Sequence, residues 1–193
     1  MRRLPLFLFS LLCAFFCELD AFSQAAKQGP SRAESVKHRA NDSAPGEVRG
    51  YHEIQAVLRG RTKVPLRLPT FIPSYSDEEN PLFAILQSAD PQGYDVELAW
   101  ADPCGGANWC HIGEIVGSSR PIPSSEGHRT PVSLHSGLTG YFIEFTCGAH
   151  CDDSEIQWTE SGYHYSIRGK AEKRTVLMKM VDSAIEHGRP QSQ

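Results

Sequence analysis

Leu138-Thr-Gly-Tyr-Phe-Ile-Glu-Phe-Thr-Cys147-Gly-Ala-His-Cys151-Asp-Asp-Ser-Glu-Ile-Gln-Trp158-Thr-Glu-Ser-Gly-Tyr163-His-Tyr-Ser-Ile167 is the stretch on which the fold turns. Tyr141, Ile143, Phe145 and Cys147 alternate with Phe142, Glu144 and Thr146, the two-residue period of a strand with one buried face. A cysteine-bounded turn follows from Cys147 to Cys151, and Ile156 and Trp158 resume the alternation. Glu160-Ser-Gly162 is a short hairpin connection ending in glycine, and Tyr163, Tyr165 and Ile167 return beside it. Three antiparallel strands of this aromatic content make a sheet core.

Outward from this stretch, the chain begins with a segment that is not part of the fold. Arg2 and Arg3 precede an apolar run from Leu4 to Phe16, with small residues at Ser23 and Ala25. A charged start, a short apolar middle and a small-x-small end predict a secretory signal over 1–25. No later stretch is long and apolar enough for a permanent membrane span. The signal carries two arginines and two acids, so the exported chain keeps the formal net charge of −4. That mild, dispersed acidity offers no basic face for nucleic acid. About 170 residues remain (193 less 25), enough for one domain with a sizeable core.

Export also decides how the cysteines are read. Cys13 and Cys17 leave with the signal, and four remain: Cys104, Cys110, Cys147 and Cys151. An even number in an oxidising compartment points to two disulfides, with three pairings open. Each local loop would contribute about 2 kcal/mol by chain entropy, against about 4 kcal/mol for a long crossed loop. The local pairing, Cys104–Cys110 and Cys147–Cys151, is favoured because Gly105-Gly106 and Gly148-Ala149 supply tight backbone.

Residues 26–46 are polar, small and aperiodic, a composition that predicts a disordered tether. The globular domain is expected over 47–188, with a disordered tail at 189–193. Glu47 to Arg59 places Ile54, Val57 and Leu58 at helical spacing, with Gly60 as the stop. Val64 to Pro73 has a proline every fourth residue, which predicts an extended strip against the sheet edge rather than a central strand. Phe83–Ser88 and Tyr94–Trp100 read as a hairpin, His111–Gly117 as another strand, and 118–130 as a long exposed excursion. Val132 and Leu134 mark a short strand. Leu177, Met180, Val181, Ala184 and Ile185 recur at three- and four-residue steps, a helix whose apolar stripe belongs on the sheet.

Arg61-Thr-Lys-Val-Pro-Leu-Arg-Leu-Pro-Thr-Phe-Ile-Pro73, Cys147-Gly-Ala-His-Cys151, Ile156-x-Trp-x-Glu-x-Gly-Tyr-x-Tyr-x-Ile167 and Met180-Val-x-Ser-Ala-Ile185 together resemble uncharacterised exported bacterial proteins. The ending Trp-x-Glu-x-Gly-Tyr-x-Tyr followed by a helix is similar to an extracytoplasmic domain of unknown function. The resemblance covers about two-thirds of the exported chain. It implies an α+β fold and a bacterial envelope or secreted setting, and no activity.

Cys104, Cys110, His111, Cys147, His150 and Cys151 have the chemistry of zinc ligands, but the five residues between Cys104 and Cys110 and the exported setting favour disulfides. Asp152-Asp-Ser-Glu155 lacks the spacing of a calcium loop and reads as an acidic turn. Neither His150 beside Asp152 and Asp153, nor His135 between Ser133 and Ser136, sits in a known catalytic motif. No catalytic residue, metal or cofactor is assigned. The expected fold is α+β, an antiparallel sheet of about six or seven strands with the C-terminal helix packed on one face. The expected function is a non-catalytic binding or interaction module, secreted or periplasmic. Its partner would be an unknown protein or envelope component, and Trp100, Trp109, Trp158 and Tyr163 are candidate contacts on an uncovered sheet face. The competing expectation is a hydrolase of an envelope polymer.

Overall fold

Proline deprives residues 64–73 of a backbone ladder, and the rest of the structure is arranged to replace it. The computed structural model describes residues 41–45 (backbone), 48–74, 81–105, 107–123, 127–148 and 151–187. The expected signal, most of the tether, the tail and His150 lie outside these residues. Elements run in the order β1 (Asn41–Pro45), β2 (Val48–Arg49), α1 (Tyr51–Arg61), β3 (Pro73–Ser74), β4 (Leu82–Asp90), β5 (Gly93–Ala99) and β6 (His111–Ser118). They continue with β7 (Arg129–Ser133), a 3-10 turn (His135–Gly137), β8 (Thr139–Ile143), β9 (Asp153–Glu160), β10 (Tyr163–Lys170) and α2 (Arg174–His187). β1, inside the expected tether, pairs with β3 as a small separate ribbon.

The remaining eight strands form one sheet in the order β2-β4-β5-β6-β10-β9-β8-β7. All pairings are antiparallel except β2 with β4. The α+β class therefore holds, with one strand more than expected because the two-residue β2 joins the edge.

Cross-strand register gathers the apolar residues on one face. Val96, Ile115, Ile167, Ile156 and Phe142 stand in one row across β5, β6, β10, β9 and β8. Tyr94, Gly117, Tyr165, Trp158 and Gly140 form the next row. Trp158 and Tyr165 stack with ring centroids 5.2 Å apart. α2 lies against β9 and β10 and buries Val176, Leu177, Met180, Val181, Ala184 and Ile185, as its stripe predicts. Each such side chain contributes roughly 1.5–3 kcal/mol relative to exposure. Gly169 permits this approach, because a Cβ there would meet Glu172 and the Leu177 side chain.

The proline strip crosses this apolar face instead of lying at the sheet edge. Val64, Leu68 and Ile72 are buried, and every second residue has a backbone group satisfied by a side chain. The Tyr165 hydroxyl donates to the Pro65 carbonyl at 3.1 Å, and the Arg67 N–H donates to the Tyr94 hydroxyl at 2.9 Å. The Tyr51 hydroxyl donates to the Pro69 carbonyl at 2.7 Å, and the Phe71 N–H donates to Ser183 Oγ at 3.1 Å. The Arg67 side chain, 6% exposed, forms a bidentate pair with Glu160 at 2.8 and 3.0 Å. The Tyr94 ring reaches the strip only because Gly117 opposes it, for a Cβ at Gly117 would fall within that ring.

Other differences from expectation have local causes. α1 continues through Gly60 to Arg61, and the Thr62 N–H closes on the Leu58 carbonyl at 3.0 Å. A lone glycine near a helix end weakens the helix by about 1 kcal/mol but does not stop it. β8 ends at Ile143, and its packed face carries Gly140 and Phe142 while Tyr141 is 45% exposed on the opposite face. Consecutive aromatics at 141 and 142 leave the alternation degenerate by one residue, and one residue of slip exchanges the faces. The close fit of Gly140 under Leu134 and Ile156 selects the observed register.

Cys104–Cys110 and Cys147–Cys151 are both closed, in the local pairing. Cys104 and Cys110 are buried with Ala99, whereas Cys147 is exposed. Under graded reduction of folded protein, alkylation mapped by mass spectrometry should label Cys147 and Cys151 first. Labelling of Cys104 and Cys110 first would contradict the packing. Arg67→Ala, which leaves Glu160 confined and unpaired, should destabilise by about 3–5 kcal/mol in urea titration. Tyr94→Phe, which orphans the Arg67 N–H, should destabilise by about 1–3 kcal/mol.

Candidate functional site

The second face of the sheet is polar, and its side chains are tied to one another. Glu97, Glu114, Arg168 and Glu155 occupy one cross-strand row over β5, β6, β10 and β9. Arg168 bridges Glu114 through Nη1 at 2.7 Å and Glu155 through Nε at 3.1 Å. Glu155 is wholly buried and also accepts from Ser166 Oγ at 2.5 Å and Gln157 Nε2 at 2.8 Å. His111 spans Glu97 at 3.2 Å and Asp153 at 2.9 Å, and Gln87 Nε2 donates to Glu97 at 2.5 Å. A buried carboxylate is stable only with such donors.

No helix lies over this face among the described residues; two loops do. The 118–130 segment is not simply exposed, because the Pro123 carbonyl accepts from Arg168 Nη2 at 3.3 Å and Gln157 Nε2 at 3.4 Å. The Cys104–Cys110 loop covers the other side, held by Lys170 Nζ donating to the Asn108 carbonyl. Among the described residues two openings stand out. The first is an acidic basin of about 380 Å³ lined by Gln87, Asp95, Glu97, Gly105, His111 and Glu114. The second is a cleft of about 360 Å³ whose walls include Ile122, Arg129, Thr139, Tyr141, Thr159 and His164.

Within the basin, burial and the neighbouring Glu114 carboxyl push Asp95 up to about 7, while Arg168 opposes the shift. Asp95 Oδ1 is buried and has no hydrogen-bond partner among the described residues. The hydrogen bond to Asp153 raises the pKa of His111 above its ordinary value, favouring imidazolium. The basin thus combines a carboxyl that holds its proton near neutrality, two further acidic side chains and a histidine whose protonated form is favoured.

The candidate aromatic contacts do not converge. Trp158 is buried in the stack with Tyr165, Trp100 and Tyr163 are half-buried against the core, and Trp109 projects, 71% exposed, from the disulfide loop. Trp158 belongs to the cleft's wall, with its indole Nε1 buried and without a partner among the described residues. His111, next to Cys110 in the chain, turns its ring between two carboxylates, and the cysteines are oxidised. Asp152, Asp153 and Glu155 do not converge on an ion: Asp152 accepts from Thr146 Oγ1, Asp153 contacts His111 and Glu155 is buried beneath Arg168. Among the described residues no group of three His, Cys, Asp or Glu is placed to hold a metal. Ser133 and His135 are exposed, and the His135 N–H donates to Asp182.

Sequence reasoning missed Asp95, Glu97, Glu114, Arg129, Tyr141 and Arg168. Their signal was present as charge at alternate strand positions, but which charges meet depends on register between strands distant in the chain. No family model matches the chain, and no curated protein or solved structure matches it.

The folded state holds the Asp95 proton up to about pH 7, whereas an unfolded chain releases it near 4. Folded protein binds more protons between these values, so stability falls as pH rises through that window. The stabilisation from His111, with its raised pKa, is full below about 6.5 and is also lost as pH rises through its folded value. Asp95→Asn should therefore raise stability at pH 8 by about 1–2 kcal/mol, discounted for solvent screening, with the gain vanishing toward pH 4. Urea titrations across that range check this; a gain independent of pH would contradict it.

Proposed function

We propose that this chain is an exported, non-catalytic binding module of the bacterial envelope or extracellular space, engaging a protein or envelope component through its polar sheet face. The observation that carries this reading is the pair of openings on that face, walled by side chains already locked in salt bridges and hydrogen bonds. Polar groups fixed before a ligand arrives lose little further freedom on binding, which is the condition for recognition by a rigid surface. The two disulfides support a location outside the cytoplasm, and no described helix is long and apolar enough to cross a membrane.

One observation favours the second reading, a hydrolase of an envelope polymer. Asp95 keeps its proton near neutrality beside Glu97 and Glu114. A proton-holding acid beside a second carboxyl group is the pairing that glycosidic cleavage uses. The internal satisfaction of Glu97 by Gln87 and His111 weighs toward a structural network and hence toward binding.

Cosedimentation with purified envelope polymers, coupled to assay of soluble fragments, separates the readings. The binding module should sediment with at least one polymer and release nothing. Fragment release abolished by Asp95→Asn would replace it with the hydrolase, and absence of both sedimentation and release would overturn both.

A further inference from the structure

We propose that the cleft between the Pro121–Pro123 arm and β8–β10 binds an acidic saccharide, with its carboxylate on Arg129 and its ring carbons against Tyr141. This rests on the binding-module reading and gives it a ligand class.

Arg129 differs in its charge partners from Arg67 and Arg168. Arg67 pairs with Glu160, and Arg168 with Glu114 and Glu155, whereas Arg129 has no carboxylate partner among the described residues. It is nonetheless held in place: its Nη2 donates to Gln157 Oε1, and its guanidinium lies 5.6 Å from the centre of the Tyr141 ring. Gln157 is oriented in turn by Glu155 and the Pro123 carbonyl. Among the described residues no partner takes the guanidinium's other N–H groups, and a planar fork matches a carboxylate in bidentate geometry.

The rest of the wall suits a sugar. Tyr141 is 45% exposed, a flat apolar surface of the kind that packs against the C–H face of a pyranose. Thr139 and Thr159 are exposed hydroxyls, and His164 Nδ1 lies 3.2 Å from Thr159 Oγ1, so donors and acceptors flank the ring. Ile122 and Pro121 close the opposite side. A volume of about 360 Å³ lies within the range of small-ligand pockets.

The field argues for a monoanion. Arg129 is the one permanently charged side chain among the cleft's described lining residues, and five acidic side chains (Asp95, Glu97, Glu114, Asp153 and Glu155), offset in part by Arg168 and His111, stand on the same sheet face. A dianionic phosphate would meet that repulsion with a single guanidinium to offset it. A sugar carboxylate carries half the charge and gains the same bidentate contact.

The test is calorimetric titration of the full exported chain with oligosaccharides bearing galacturonate, glucuronate or N-acetylmuramic acid. Each is paired with its methyl ester, which keeps the ring and removes the charge. At least one acid should bind about tenfold or more tightly than its ester, a difference of about 1.4 kcal/mol. Arg129→Gln should remove that preference while leaving the thermal midpoint in place, since Arg129 is exposed. Tyr141→Ala should weaken acid and ester alike. Equal affinity for acid and ester, binding insensitive to Arg129→Gln, displacement by millimolar phosphate, or no binding by any acid would each overturn the assignment. Undiminished sedimentation of Arg129→Gln with an envelope polymer would sink this cleft but leave the binding module standing. Loss of all polymer binding by wild-type protein would sink the module itself.

Discussion

A backbone that cannot ladder must find its hydrogen bonds elsewhere, and the proline strip over the apolar sheet face is governed by that requirement. Pro65, Arg67, Pro69 and Phe71 present alternating carbonyl and N–H groups, met in turn by Tyr165, Tyr94, Tyr51 and Ser183. An unmatched buried backbone group costs about 1–3 kcal/mol, comparable to a sizeable part of the total stability of a domain. The tyrosines are therefore structural twice over, their rings filling core volume and their hydroxyls standing in for a missing strand. Gly117 and the Arg67–Glu160 pair follow from the same need, one making room for a ring and the other fixing the strip's lateral position. α1 and α2 both attach to the strip through this set, since Tyr51 and Ser183 belong to the two helices.

The opposite face solves a different problem. Five carboxylates crowd the middle of a sheet, and their mutual repulsion is held down by Arg168, by His111 and by one retained proton on Asp95. Buried ion networks of this kind add little net stability but select one arrangement strongly, because any other leaves a charge without a partner. The result is a surface with two differently charged openings on a single rigid support.

Much of the first face was legible in the chain. The stripe of α2, the alternation of β5 and the hairpin of β9 and β10 rest on periodicity and turn residues, which act within ten or fifteen positions of one another. The local disulfides were legible through their glycine-rich loops. What escaped depended on distant partners. Tyr141 and Phe142 carried equal weight as the packed residue until Leu134 and Ile156 met Gly140. The strip's path across the sheet depended on Tyr94 and Tyr165, which read as ordinary core aromatics. The basin was invisible for the same reason: Asp95, Glu97 and Glu114 each look like routine solvent-facing strand residues until β5 and β6 set them side by side.

The loop closed by Cys104 and Cys110 has one more implication. Its Gly105 edges the basin, its Asn108 carbonyl is gripped by Lys170 of β10, and the Trp100 N–H ties it to β5 through the Cys110 carbonyl. A margin stitched down at two points has little room to swing aside. A guest entering there would be sorted by girth at the threshold, without the loop reshaping itself around it.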